Sequence, residues 1–213
     1  MPMGTGTVNC YLIQNPIGNF LIDTGGSNNE KLLVQELEKA GCPPEKLSLI
    51  IITHGDFDHI GNAAFLKNKY ALKIAMHSDD AGMAEQGNMF HNRQQPNILV
   101  RLLAPLFMGF GKTKRFSPDI LLQNGDMLTS FGLEARVISM PGHSKGSIGI
   151  LLDSGELISG DLLDNAKGPA FTSFMDDQIA ADNSLMLLQQ EGITKIYPGH
   201  GEPFDFGEFR PKI

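Results

Sequence analysis

The sequence predicts a layered α/β fold, and two patterns carry that expectation. Short β-branched runs alternate with single amphipathic helices in both halves of the chain, as in sheets covered by helices. Polar groups stand where such runs end: Asp23, the cluster His54/Asp56/Asp58/His59, His143, Asp161 and His200. In open α/β sheets, strand ends are where sites are built. Four of the six histidines fall at these points, which scattered placement would rarely produce.

The elements follow in order. Residues 8–13 read as a strand that turns at Asn15-Pro16 into a second strand over 19–23, ended by Gly25-Gly26. Ser27 and Asn28 offer N-caps for a helix with apolar positions at Leu32, Leu33, Leu37 and Ala40, stopped by Gly41 and Pro43-Pro44. Residues 47–53 form a β-branched run of the kind expected for a strand buried on both faces. A helix over 62–69 and a short strand over 73–76 come next. In the second half, 133–139 and 147–152 read as strands around Pro141-Gly142-His143, and 156–159 as a strand ending at Gly160-Asp161. A helix over 177–191 carries Ile179, Leu185, Leu187 and Leu188, and a last strand over 195–197 precedes Pro198-Gly199-His200.

Residues 81–118 break this alternation. Met83, Met89, Met108, Phe90, Phe107 and Phe110 occur there with Pro and Gly at intervals and no strand periodicity. The stretch reads as a mainly helical insertion within a single domain over 1–213, serving either as an active-site cover or as a helical hairpin that completes the core.

Composition bounds the function. A chain of 213 residues, 41% hydrophobic, is long enough to bury roughly 70% of its unfolded surface. A net charge of −7 without any basic run argues against nucleic acid as a partner. The run Leu49-Ile50-Ile51-Ile52 is too short to span a bilayer, and the apolar stretch 98–110 is interrupted by Arg101 and Pro105 where about 20 residues are needed. The N-terminus lacks the basic and apolar regions of a signal peptide. Cys10 and Cys42 make neither a metal pair nor a disulfide framework, as expected of reduced thiols. These features suggest a cytoplasmic protein with a small-molecule substrate and no membrane partner; homo-oligomerisation is left open.

The segment T-H-G-D-F-D-H packs two imidazoles and two carboxylates directly behind a buried strand. Desolvated groups of this kind need partners, and a metal ion answers that need. Mixed His/Asp donors suit zinc, iron or manganese. One carboxylate, Asp56 or Asp58, would serve equally as a helix N-cap, but capping does not account for all four groups. Cys10 lies within a strand-like run, so a cysteine nucleophile is not expected.

Taken together, I-D-T-G-G (22–26), T-H-G-D-F-D-H-I-G-N (53–62), P-G-H-S-K-G-S (141–147), S-G-D (159–161) and P-G-H-G (198–201) resemble the motifs of the metallo-β-lactamase-fold hydrolase superfamily. They agree in order and cover nearly the whole chain except 81–118. The resemblance implies a four-layer αββα sandwich with two adjacent metal positions. His54, Asp56 and His143 would hold the first metal, Asp58, His59 and His200 the second, and Asp161 would bridge them. Asp23 resembles the family's buried aspartate that braces the metal loop without binding metal.

One residue departs from the family pattern H-x-H-x-D-H: the second histidine is Asp56. A third carboxylate makes the centre a weaker Lewis acid, and an added oxygen donor shifts preference from zinc toward iron or manganese. The flavodiiron branch of the family, with a glutamate there and iron in the site, is similar in this respect.

The mechanism this implies is hydrolysis by a metal-activated hydroxide of an ester, lactone, thioester or phosphoester, with Asp58 steering the proton. An iron-dependent redox enzyme and a non-catalytic metal-binding protein are the alternatives. Candidate substrate contacts are Lys145, Lys167, His91, Arg93, Phe107 and Phe110.

Overall fold

The computed structural model describes residues 2–3, 8–93 and 114–209. Its strands are β1 (Pro2–Met3), β2 (Val8–Asn9), β3 (Tyr11–Gln14), β4 (Asn19–Ile22), β5 (Leu49–Ile51), β6 (Ile74–His77), β7 (Ile120–Leu122), β8 (Ala135–Ser139), β9 (Ile148–Leu152), β10 (Glu156–Gly160), β11 (Leu163–Asp164), β12 (Ala170–Phe171), β13 (Lys195–Pro198) and β14 (Phe204–Asp205). The helices are α1 (Glu30–Lys39), α2 (Phe57–Ile60), α3 (Ala63–Tyr70), α4 (Ser78–Gln86) and α5 (Gln178–Leu188).

Ten of the strands form two five-stranded sheets, ordered β3-β4-β5-β6-β7 and β14-β13-β10-β9-β8. In the first, β4 through β7 run parallel and β3 is antiparallel to β4. In the second, β10 and β13 are parallel and the other pairs antiparallel.

The strand period of two explains the layering. Phe20, Ile22, Leu49 and Ile51 point one way and meet Val137, Ile148, Ile150 and Ile158 of the opposing sheet. The alternate residues Leu21, Ile50 and Ile74 point outward and pack against Leu33 and Leu37 of α1 and Ala63 and Leu66 of α3. On the far face, Leu151, Leu157 and Ile196 pack against Ala181, Leu185 and Leu188 of α5. Three apolar cores between four layers make an αββα sandwich.

Several sequence expectations shift at the edges. Residues 8–13 are two strands, broken at Cys10, because β2 pairs with β1 while β3 pairs with β4. Of the mainly helical insertion expected over 81–118, residues 94–113 lie outside the described residues; before them a helix runs from Ser78 to Gln86, and Met83, Met89 and Phe90 form a small cluster with Phe57. β7, β11, β12 and β14 are too short to show alternation and were not expected. Leu32, Ala40, Ile179 and Leu187, counted as apolar helix positions, are exposed. No disulfide joins Cys10 and Cys42, both buried. Among the described residues, no helix is long and apolar enough to cross a membrane.

Ile150 is fully buried between the sheets, whereas Ile179 is 75% exposed. Ile150→Ala should therefore lower the unfolding free energy by about 2–5 kcal/mol in urea titrations. Ile179→Ala should stay within about 0.5 kcal/mol.

Candidate metal centre

The parallel strands of each sheet end at the same edge of the sandwich, and the sequence supplies a polar group at each end. Asp23 follows β4, His54–His59 follow β5, His143 follows β8, Asp161 follows β10 and His200 follows β13. A backbone bond from Ile148 N to Thr53 O, 2.9 Å, ties the two sheets at this edge.

Asp23 has φ of +60°, unusual for a residue with a Cβ, and its carboxylate collects three donors. Oδ1 accepts from Thr53 N at 2.8 Å; Oδ2 accepts from Thr53 Oγ1 at 2.7 Å and from His59 Nδ1 at 2.8 Å. Thr24 N and Asn62 Nδ2 then bind the turn to the segment after His59. Gly61 is required in this packing, because a Cβ there would overlap the backbone of Gly26 and Ser27.

The Nδ1 atoms of three histidines are thus engaged away from the centre. His59 Nδ1 lies on Asp23, His54 Nδ1 is 3.0 Å from Thr53 Oγ1, and His143 Nδ1 is 2.6 Å from the Phe174 carbonyl. Their Nε2 atoms turn inward. His59 Nε2 is 3.2 Å from Asp161 Oδ1 and His54 Nε2 is 4.0 Å from Asp161 Oδ2. His200 Nε2 completes the ring, 3.1 Å from Asp161 Oδ2 and 3.5 Å from Asp58 Oδ2.

His54, His143 and Asp161 form one group of converging donor atoms, and Asp58, His59 and His200 a second; either is compact enough to hold a metal ion. The buried His54 Nε2, His59 Nε2 and Asp161 Oδ1 have no hydrogen-bond partner, a costly state that a cation would relieve. Gly199 admits the carboxylate, since a Cβ there would overlap Asp161 Oδ1.

The electrostatics of the centre follow from this crowding. Burial, with the neighbouring His59 and His143, pushes His54 well below the usual imidazole value. Burial also opposes charge on His59, but Asp161 and Asp23 override it and hold the imidazole well above that value. His200 resists its own burial through Asp161 and Asp58, which raise it to about 10. Burial would raise Asp161, yet His59 and His200 keep it well below the carboxylate range.

Asp56 stands at the N-cap of α2 but makes no capping bond with its side chain. Its Oδ2 lies 3.0 Å from His143 Nε2 and 3.8 Å from His54 Nε2, and its Oδ1 accepts from Arg93 Nη1 at 2.5 Å. Arg93, expected at the substrate, is buried among these groups. Of the other expected substrate contacts, Lys145 beside His143 and Lys167 in the β11–β12 turn are exposed. His91 is half-buried against Gly82, where a Cβ would overlap its ring. Phe107 and Phe110 lie outside the described residues. Phe174, 47% exposed, has its ring 5.9 Å from that of His143.

Asp80 on α4 carried no signal in the sequence, yet it staples the two loops that bear His54 and His143. Oδ2 accepts from Gly55 N at 2.9 Å and Ser144 Oγ at 2.6 Å, and Oδ1 accepts from Gly146 N at 2.8 Å.

The sequence matches a family profile described as the metallo-beta-lactamase superfamily over residues 3–200. It is 33% identical over 202 residues to a probable metallo-hydrolase of Methanocaldococcus jannaschii, covering 91% of this chain and 87% of that protein. It is 27% identical over 214 residues to the Homo sapiens acyl-coenzyme A thioesterase MBLAC2, covering 92% and 74%. Among solved structures, TTHA1623 in a di-iron-bound form superposes with a TM-score of 0.73 at 26% identity, covering 97% of this chain and 94% of that one.

Two outcomes test the geometry. Asp80→Ala leaves the buried amides of Gly55 and Gly146 without an acceptor, and should cost about 2–4 kcal/mol of stability by chemical denaturation. His200, raised from 6.5 to about 10, stabilises the metal-free fold fully below pH 6.5 and loses that contribution as pH rises through 10. In chelator-treated protein, the Tm gap between the parent and His200→Ala should narrow across that range.

Proposed function

The chain belongs to the metallo-β-lactamase superfamily and is one of its hydrolases, and from that premise we propose that it cleaves a small-molecule thioester at a two-metal centre. The observation that carries the metal dependence is the pair of His/Asp groups that meet at Asp161, with three inward donor atoms left without partners. The donors fit the ions: imidazole nitrogens, those of His54, His59 and His143 with their far nitrogens braced, and carboxylate oxygens. His54, Asp56 and His143 would hold the first ion, Asp58, His59 and His200 the second, with Asp161 shared. Zinc or iron suits this set, and its oxygen-rich first position also accommodates manganese. Bound, the two ions supply the Lewis acidity that polarises the substrate carbonyl and makes water acidic enough to react near neutral pH.

The chain's own residues do the rest. Asp58, half-buried and facing His200, takes the proton from the attacking water as its oxygen bonds to the acyl carbon. The carbon–sulfur bond then breaks, and the proton passes to the departing sulfur. Phe174, exposed beside His143, gives an apolar wall for the acyl chain. The thioester class is supported by the relative named as an acyl-coenzyme A thioesterase.

The decisive assay compares acyl-CoA thioesters, lactones and phosphodiesters before and after chelation. Thioester cleavage should be the fastest, vanish on chelation and return with zinc, iron or manganese. Asp58→Asn should lower kcat by about 100-fold or more. Activity that survives complete metal removal would refute the metal dependence, and a preference for phosphodiesters would refute the thioester assignment.

A further inference from the structure

Arg93 enters the centre from the turn that follows α4 and meets the carboxylate that stands where the family has histidine. Nη1 donates to Asp56 Oδ1 at 2.5 Å and Nη2 to the His143 carbonyl at 3.2 Å. Nε lies 2.9 Å from Asp176 Oδ2, an ion pair without hydrogen-bond alignment. The guanidinium stands 5.4 Å from the Phe174 ring centre, and Arg93 is only 7% exposed. A cation so deeply buried is retained only where anions and acceptors compensate its lost hydration. Here every named partner belongs to the loops that build the centre.

Asp56 uses its two oxygens differently. Oδ1 is taken by the guanidinium, whereas Oδ2 faces His143 Nε2 at 3.0 Å and His54 Nε2 at 3.8 Å. An unrestrained carboxylate would rotate between its oxygens; a planar fork anchored at three points prevents that.

We propose that Arg93 is a positioning residue for this hydrolase: anchored by Asp176 and the His143 carbonyl, it clamps Asp56 Oδ1 so that Oδ2 serves as a single donor in place of a histidine nitrogen. The proposal rests on the metal-dependent reading above. Arg93 acts through Asp56 and touches no substrate. The guanidinium also offsets part of the charge that Asp56 adds, sharing its own between Asp56 and Asp176.

Stepwise zinc titrations of four metal-stripped proteins, read with a competing chelator dye, test this: the parent, Arg93→Ala, Asp56→His and the double variant. Arg93→Ala should weaken one of the two bound equivalents by about 10-fold or more, the loss typical of groups that orient a ligand. In the Asp56→His background the same change should alter that constant by no more than about twofold, as for uncoupled positions. No weakening in Arg93→Ala, or an equal loss in both backgrounds, overturns the proposal. If Arg93→Ala does not fold, the double variant decides: folding with two bound ions supports the clamp, and failure to fold overturns it. A parent that binds no zinc, iron or manganese sinks the metal-dependent reading and the clamp together. A parent that binds two ions without coupling between positions 56 and 93 sinks the clamp alone.

Discussion

The Asp161 carboxylate is the point on which the rest of the arrangement depends. It is buried, it lies within 3.2 Å of imidazoles from two different strand ends, and one of its oxygens has no hydrogen bond. A carboxylate in that position is tolerable only beside positive charge, whether protons on His59 and His200 or a bound cation. His59, His54 and His143 in turn are aimed by their far nitrogens, which Asp23, Thr53 and the Phe174 carbonyl hold in place.

The sandwich makes this convergence possible. β4 and β5 run parallel in one sheet, as do β10 and β13 in the other, so their ends open at a common edge. Cross-links pin that edge. Ile148 N bonds Thr53 O, Asn9 N bonds Gly199 O at 2.7 Å, and Tyr11 Oη donates to Pro198 O at 2.6 Å. The break at Cys10 therefore has a use: β2 reaches the second sheet's loop while β3 stays in the first. Asp80 adds a side-chain staple between the loops after β5 and β8.

The layering was legible because apolar periodicity is local. Leu33 and Leu37 mark one face of α1, and Leu49, Ile50 and Ile51 mark a strand with apolar neighbours on both sides. The strand-end polar groups were legible for the same reason, each lying next to its own run. Boundaries were less so. α4 starts before the compositional change at 81, because its first turn is fixed by His77 accepting from Asp79 N and by Asp80 turning inward. The two- and three-residue strands exist only because a neighbouring strand completes their hydrogen bonds.

By itself, then, the sequence determined the layered α/β class, the order of the main elements and the residues placed at strand ends, all of which depend on neighbours within a few positions; the four-layer αββα arrangement was implied by the resemblance of its motifs to a known superfamily. Tertiary structure alone decided which oxygen of Asp56 faces the centre, that Arg93 is buried against it, and that Asp80 and Asp176 belong to the loops around the same site. Those pairings join residues 25 to 87 positions apart from helices and loops without a shared motif. Their energy comes from compensating buried charge. That compensation is a property of distance in three dimensions, and no spacing along the chain encodes it.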